Sequence, residues 1–383
     1  MIPGVDSRAG GPAFAMAGLC KAQKAAGMDV TALATFRKGE GRDIAEDLEH
    51  AGVHVTLVGP AVGPLSSHRH LPATLRALVQ SVDVVHAHGV WEDVQHHAAR
   101  TAHRFGKPYV ITPHGMLSPW SLGQKPLKKK IYLMLRLRKD LNRAAAIHLT
   151  SAAEREFIAP LKLRSKTFVE PLGVDLTEFE SLPQRGAFRA KFPEVAGRKI
   201  VMFLGRLHPR KGMEYLIPAL RRAGRKDVVL VAVGPDSEGF RATLERAAAD
   251  EGVADQVLFT GMLRGRDRIE ALTDADLFAL PSEHENFGLV VVEALACAVP
   301  VLVSDGVALH REVRDAGVGS FTKVGDVDGI AKELCRWLDD DPLRRVAAER
   351  ARGFVWERFD WGKIAARWVE HYRALAARSR GDS

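Results

Sequence analysis

The sequence predicts an α/β protein built from two Rossmann-like domains, each a parallel sheet covered by helices. Three observations carry that prediction. Short β-branched runs alternate with longer Ala- and Leu-rich segments, the pattern of parallel sheets linked by helical crossovers. The alternation pauses over residues 171–197, which hold three prolines and few apolar periods, and then restarts. The chain of 383 residues also exceeds the usual length of a single domain.

Taken in order, the first half opens with a Gly10–Gly11 turn leading into a helix over 11–26. Only Met1 to Pro3 precede that turn as a first strand, so either that strand is nearly absent or the start is placed too far downstream; the expectation is a truncated start and a less stable first domain. Residues 29–35, 53–58, 82–86, 109–112, 147–150 and 167–170 read as strands, and 71–81 and 91–105 as helices. The second half places strands at 200–204, 227–233, 257–260, 277–279 and 299–304, with helices over 213–223, 240–251 and 267–272. A final helix over 360–378 carries Trp361, Ile364, Trp368 and Tyr372 in steps of three and four. The expected domains are 1–175 joined by 361–383, and 176–360.

Composition narrows the function classes. With 46% hydrophobic and 27% charged residues the chain supplies two cores and no disordered tract. Cys20, Cys297 and Cys335 lie far apart without CxxC pairing, which suits a reducing, cytoplasmic setting and disfavours a disulfide framework or zinc site. The longest apolar run, 287–303, is broken by Glu293 and Pro300, and the N-terminus lacks a signal-peptide pattern. The net charge is +8, and residues 125–143 hold eight cations against Asp140, a net +7 in that stretch alone. So local an excess points to a local anionic partner rather than to nucleic acid. Leu127, Ile131, Met134, Leu135, Leu137 and Leu141 interleave with those cations, the make-up of a helix lying on an anionic membrane surface. A helix packed on its own domain with snorkelling cations is the competing reading.

The chemistry concentrates at strand ends. Arg206 and Lys211 follow the strand 200–204 in GRLHPRKG, where Arg grips phosphate bidentately and Lys acts as a point charge. Glu285 and Glu293 bracket Asn286, Phe287 and Gly288 ahead of an apolar helix. A helix starting near Gly288 offers backbone N–H groups to an anion, and the two carboxylates accept hydroxyls on either side of it. A nucleotide-sugar, a diphosphate with a sugar at each end, matches that set. The competing reading makes Ser282 to Glu285 a capping box, which would place Gly288 inside a helix at a cost of about 1 kcal/mol. His114 in PHGMLSPW closes the strand 109–112, and His86 and His88 close 82–86, with His86 expected inward and His88 facing ligand. Gly11 offers a backbone approach to phosphate from the first domain. Asp274-Ala275-Asp276 and Asp326-Val327-Asp328 match the letters of a metal-binding D-x-D motif, but both read as turns beside a strand or helix start, and no metal site is assigned.

In order and spacing, the GGP turn, PHGMLSPW, PLGVD, GRLHPRKG, VLFTGML, PSEHENFGLVVVEAL and the aromatic tail helix resemble glycosyltransferase family 4, the retaining GT-B enzymes. PHGMLSPW with the lysine cluster is similar to a bacterial subgroup acting in exopolysaccharide or lipopolysaccharide assembly. The resemblance implies two domains facing across a cleft, with the C-terminal helix returning to the first. Arg206 and Lys211 would neutralise the leaving diphosphate, Glu293 would hold ribose hydroxyls, and Glu285 the transferred sugar. Asn286 lies in the same loop. Backbone at Phe287, Gly288 and Leu289 would support sugar and phosphate, Met262 and Leu263 would border the base, Gly11 would approach the phosphate, and His114 would face the reacting sugar. It also implies metal-independent, retaining transfer with no cofactor, from a nucleotide-sugar to a saccharide or lipid-linked saccharide. Leu172 departs from the asparagine of many relatives. An epimerase lacks identifiable acid/base residues here, and no GxGxxG supports an oxidoreductase. An inactive nucleotide-sugar binder or membrane-bound assembly protein is the alternative from another class.

Overall fold

A computed structural model describes residues 1–6, 11–236 and 238–381, and the chain divides into two compact units, Met1–Gly173 with Phe359–Ser383, and Val174–Arg358. The proline-bearing stretch after residue 173 is built into the second unit, where Phe179, Phe188 and Val195 are buried.

The first unit carries β1 (Ile2–Pro3), β2 (Thr31–Thr35), β3 (His54–Val58), β4 (Val85–His88), β5 (Tyr109–Thr112), β6 (Ala146–Leu149) and β7 (Thr167–Val169), all paired in parallel. They form a three-stranded sheet ordered β1-β2-β3 and a four-stranded sheet ordered β4-β5-β6-β7. Met1 ties the two together: its amino group donates to the His86 carbonyl (2.8 Å), and the His88 N–H donates to the Met1 carbonyl (2.9 Å). Strands this short stay in register because their inward residues, such as Ala32, Val85 and Ile111, are buried under helices. The last helix, Trp361–Gly381, belongs to this unit. Its apolar stripe, Ile364, Trp368 and Tyr372, packs with Leu19 and Val110, and Arg367 pairs with Glu170 at 2.7 Å.

The second unit contains β8 (Lys199–Leu204), β9 (Val228–Val233), β10 (Val257–Gly261), β11 (Leu277–Leu280), β12 (Val301–Ser304) and β13 (Gly319–Thr322). Their order is β10-β9-β8-β11-β12-β13, and every pairing is parallel. Counted within the unit this is 3-2-1-4-5-6, the doubly wound order whose direction reverses between its first and fourth strands. Ligands bind outside the carboxyl ends of the strands at that reversal, here the loops that follow β8 and β11. No helix among the described residues is long and apolar enough to cross a membrane. The three cysteines are free thiols.

Candidate functional site

The loops after β8 and β11 bring together residues more than seventy positions apart. After β8 the chain runs through Arg206 into a short helical turn, Pro209–Lys211, and the helix Met213–Ala223 follows. Gly212 between them has φ +74°, and a Cβ there would lie 2.0 Å from the Pro281 carbonyl oxygen. Only glycine lets the two loops touch so closely. That contact, with Glu283 N–H donating to the Arg210 carbonyl at 2.9 Å, carries Lys211 onto Glu285, whose carboxylate takes the Lys211 ammonium as an ion pair. Glu285 is itself held by a parallel bridge to Val307, its N–H on Gly306 and its carbonyl accepting from Ala308.

The helix Leu289–Ala296 starts where the ligand-facing reading requires: Gly288 stands outside it as N-cap, at φ +83°. Glu293 lies in its second turn with a side chain 15% exposed. One carboxylate oxygen accepts from Arg268 Nη1 at 3.1 Å, while Oε2 is buried with no hydrogen-bond partner among the described residues. Burial pushes the Glu293 carboxyl above its usual range, and Arg268 opposes the shift. A buried acceptor without a donor costs about 1–3 kcal/mol, so Oε2 is an acceptor with capacity for a further donor. The sequence reading missed Arg268, which also binds Glu178 at 2.8 Å. Its only local signal is a place in the charged run RGRDRIE.

Glu285 and Glu293 therefore share a loop and helix but not a partner. Arg206 is exposed and has no ion pair among the described residues. Phe287 is buried (3% exposed) and anchors the loop, while Asn286 and Leu289 are half-buried. Met262 and Leu263 follow β10, the edge strand two places from β8, and Met262 is 55% exposed. The D-x-D carboxylates are engaged by the fold. Asp274 accepts from the Gly186 and Arg189 N–H groups, and Asp276 pairs with Arg185 at 2.6 Å. Asp326 caps a helix through Gly329 N–H (2.9 Å), and Asp328 pairs with Arg222 at 2.7 Å.

In the first unit the order, with β1 and β4 adjacent through Met1, puts its reversal at the ends of those strands. Gly11 begins the helix Gly11–Ala25 and is exposed; Gly10 lies outside the described residues. His114 follows β5 at φ +52° and is buried at 8% exposure. His88, expected to face ligand, is instead buried (4% exposed), stacked between His86 and His114 at centroid distances of 4.2 and 5.2 Å. The reason is a pairing that sequence spacing does not reveal: His88 Nδ1 hydrogen-bonds His114 Nε2 at 3.0 Å. That leaves His114 Nδ1 as the ring atom without a partner among the described residues. His86 bridges Tyr372 OH and Thr112 Oγ1, each at 2.6 Å, and Thr112 Oγ1 continues to His148 Nδ1 at 2.8 Å. Burial pulls His114 down to about 3 and His148 to about 4, so both rings are neutral at pH 7.

Glu154 is a second residue that the sequence reading missed. It is 1% exposed and accepts from Gly115 N–H, from Thr150 N–H (2.7 Å) and from Thr150 Oγ1 (3.0 Å). Burial raises its pKa while these donors hold the charged form. Glu154 thereby fixes the left-handed His114–Gly115 turn. Its sequence signal, Ser151-x-x-Glu154, reads only as a helix cap.

With this geometry in place, comparison with known proteins defines the class. Residues 184–354 match the model for glycosyl transferases group 1, and residues 10–173 the model for a glycosyl transferase 4-like domain. A D-inositol 3-phosphate glycosyltransferase of Salinispora arenicola is 30% identical over 382 residues, 89% of this chain and 83% of that protein. The D-inositol 3-phosphate glycosyltransferase of Nocardia farcinica is 35% identical over 223 residues, 54% of this chain, and the match spans about half (49%) of that protein's length. The chain belongs to the glycosyltransferase family defined by these group 1 and 4-like domains. Its fold is GT-B: the crystal structure of Anabaena HepE in complex with UDP superposes with a TM-score of 0.81 at 22% identity, covering 97% of this chain and 98% of that one.

Proposed function

We propose that the chain is a retaining, metal-independent glycosyltransferase that moves a sugar from a nucleoside-diphosphate donor to a saccharide acceptor carried on a lipid at the cytoplasmic membrane face. One observation carries the donor assignment: Lys211, Glu285, Gly288 and Glu293 converge at the β8/β11 reversal, with Glu293 Oε2 buried and lacking a donor. In this reading Glu293 Oε2 accepts a ribose hydroxyl. The diphosphate displaces the Lys211–Glu285 contact, so that Lys211 and Arg206 meet phosphate and Glu285 turns to hydroxyls of the sugar. Breaking the glycosyl–phosphate bond builds negative charge on the leaving group, which preorganised cations and the helix N-terminus stabilise. The departing phosphate takes the acceptor proton as the acceptor attacks the face that it leaves. His114 presents Nδ1 of a neutral ring to the reacting sugar, and Met262 and Leu263 border the base.

Two observations support the acceptor assignment. Leu127, Ile131, Met134 and Leu135 are 70%, 46%, 66% and 71% exposed beside Lys125, Lys128 and Lys130, whereas Leu137 and Leu141 pack into the core. Apolar side chains interleaved with cations favour an anionic bilayer. PHGMLSPW with this cluster further supports a role in cell-surface polysaccharide assembly. The names of the inositol phosphate glycosyltransferases favour a second reading, a phosphorylated cyclitol acceptor.

A calorimetric screen of UDP-, GDP- and ADP-sugars tests the donor assignment. One series is expected to bind, with affinity falling about 5- to 10-fold in Glu293→Gln as a charge-assisted bond becomes neutral. No binding and no turnover of any nucleotide-sugar would end this reading. For the membrane, flotation with anionic vesicles is expected to be salt-sensitive and lost when Leu127, Ile131, Met134 and Leu135 become serine. Flotation unchanged by both salt and these substitutions contradicts it.

A further inference from the structure

The first unit has a concavity of about 810 Å³ outside the candidate catalytic groups. Three helical segments build it: Arg76 comes from Leu71–Ser81, Arg100 and Arg104 from Asp93–Arg104, and Arg136, Lys139 and Arg143 from the basic segment. Tyr109, the first residue of β5, lines it, whereas His114 lies beyond the other end of that strand, at least roughly 10 Å away at about 3.3 Å per residue. This is therefore not the edge that carries the catalytic candidates.

Charge is the unusual feature. The acids at hand are engaged: Asp140 accepts from His96 Nδ1 at 2.6 Å, and Asp93 pairs with Arg136 at 3.0 Å. Arg76, Arg100, Arg104, Lys139 and Arg143 have no carboxylate partner among the described residues. Six cations against Asp140 around one concavity leave a clear positive excess, and an anion seated among them relieves the repulsion. Five of the six cations are arginine, whose planar fork fits phosphate oxygens two at a time. The volume suits a small ligand. Tyr109 is buried with its hydroxyl on the Asp140 carbonyl at 2.6 Å, so the other rings in the lining are the imidazoles of His96, His97 and His103.

We propose that this concavity is a second anion site that binds a phosphoester polyanion, separate from the donor site. Leu135 stands at its rim, so the exposed apolar patch and the cations meet there. The phosphate therefore has two candidate sources, the headgroup of a phosphomonoester lipid or a soluble polyphosphate. Arg76, Arg100 and Arg104 lie outside residues 125–143, so the site does not depend on the membrane reading of that segment, nor on the donor assignment.

The test uses the full chain in a Lys211→Ala background, which removes a cation assigned to the donor diphosphate. Inorganic tripolyphosphate is titrated at constant ionic strength, with and without Arg100→Gln, Arg104→Gln and Arg143→Gln together. Binding is expected in the first protein and at least about tenfold weaker binding in the second. All three side chains are exposed, and matching thermal melts check that the fold is intact. Flotation with phosphatidylcholine vesicles, with and without phosphatidate, separates the sources. Recruitment by phosphatidate that depends on the three arginines identifies a lipid headgroup. Equal recruitment of both proteins, with tripolyphosphate still discriminating, identifies a soluble ligand. If neither probe distinguishes the two proteins, the proposal is overturned.

Discussion

At the scale of single residues, Lys211 and Glu154 make the contrasting cases. Lys211 pairs with Glu285 at the strand-order reversal, and in the function proposed above it faces the leaving diphosphate and acts as charge develops. Removing one such preorganised group costs about 10²–10³ in kcat. Lys211→Ala is expected to lose that much in single-turnover transfer while melting at the wild-type temperature. Glu154 acts through the backbone. Glu154→Gln turns an amide N–H₂ toward donors that need acceptors, a cost of about 1–3 kcal/mol. With the His114–Gly115 turn loosened, kcat should fall more than donor affinity; equal losses in both would contradict a positioning role. Lys211, Glu285, Gly288 and Glu293 were legible because strand ends, a glycine and a carboxylate on an apolar helix are local patterns. The His88–His114 and Arg268–Glu293 pairs were not. Each joins residues about 25 positions apart, and only the packed sheet decides which side chains meet.

At the scale of elements, the start of Leu289–Ala296 was decided by a backbone argument. Gly288 at φ +83° is in a conformation that costs other residues about 1–2 kcal/mol, while a Cβ placed there would meet no atom nearer than 3.3 Å. Gly288→Ala should therefore lower the melting temperature of the second unit by about 2–8 °C through φ strain, with the close contact to Val291 adding to it, and a melt unchanged within error would contradict this. The buried histidines give the first unit a pH dependence. His114 and His148 have folded values of about 3 and about 4 against 6.5 when unfolded, so below 6.5 the unfolded chain binds protons that the folded one refuses. Stability is full above pH 6.5 and falls with acid, by up to about 1.4 kcal/mol per pH unit for each ring, until the folded values are reached. Urea titrations from pH 7.5 to about pH 4.5 should show that fall, made shallower but not abolished when His114 and His148 are replaced by glutamine, since burial also holds His86 and His88 well below 6.5. Strand positions were readable from β-branched runs because a parallel sheet buried on both faces demands them. Their ends were less so: β4 runs to His88 rather than stopping at 86.

At the scale of the whole chain, alternation of strand and helix announced two Rossmann-like units, and the two strand orders then placed the candidate residues at carboxyl edges. The tail helix was legible from its aromatic stripe. Trp368, 1% exposed against Leu19 and Val110, should cost about 3–5 kcal/mol when replaced by alanine, seen as an earlier melting transition of the first unit. The basic concavity was half visible, as a cluster of charge in 125–143, because its other cations come from two helices much earlier in the chain. The central claim is that the groups gathered after β8 and β11 break a glycosyl–phosphate bond. Its most direct test is release of nucleoside diphosphate from the nucleotide-sugar that binds, followed in wild type and in Lys211→Ala with Glu293→Gln as a third arm. The account predicts release by wild type, a loss of about 10²–10³ in the lysine variant and a smaller loss, chiefly in donor affinity, in the glutamate variant. Equal release by all three proteins would contradict it.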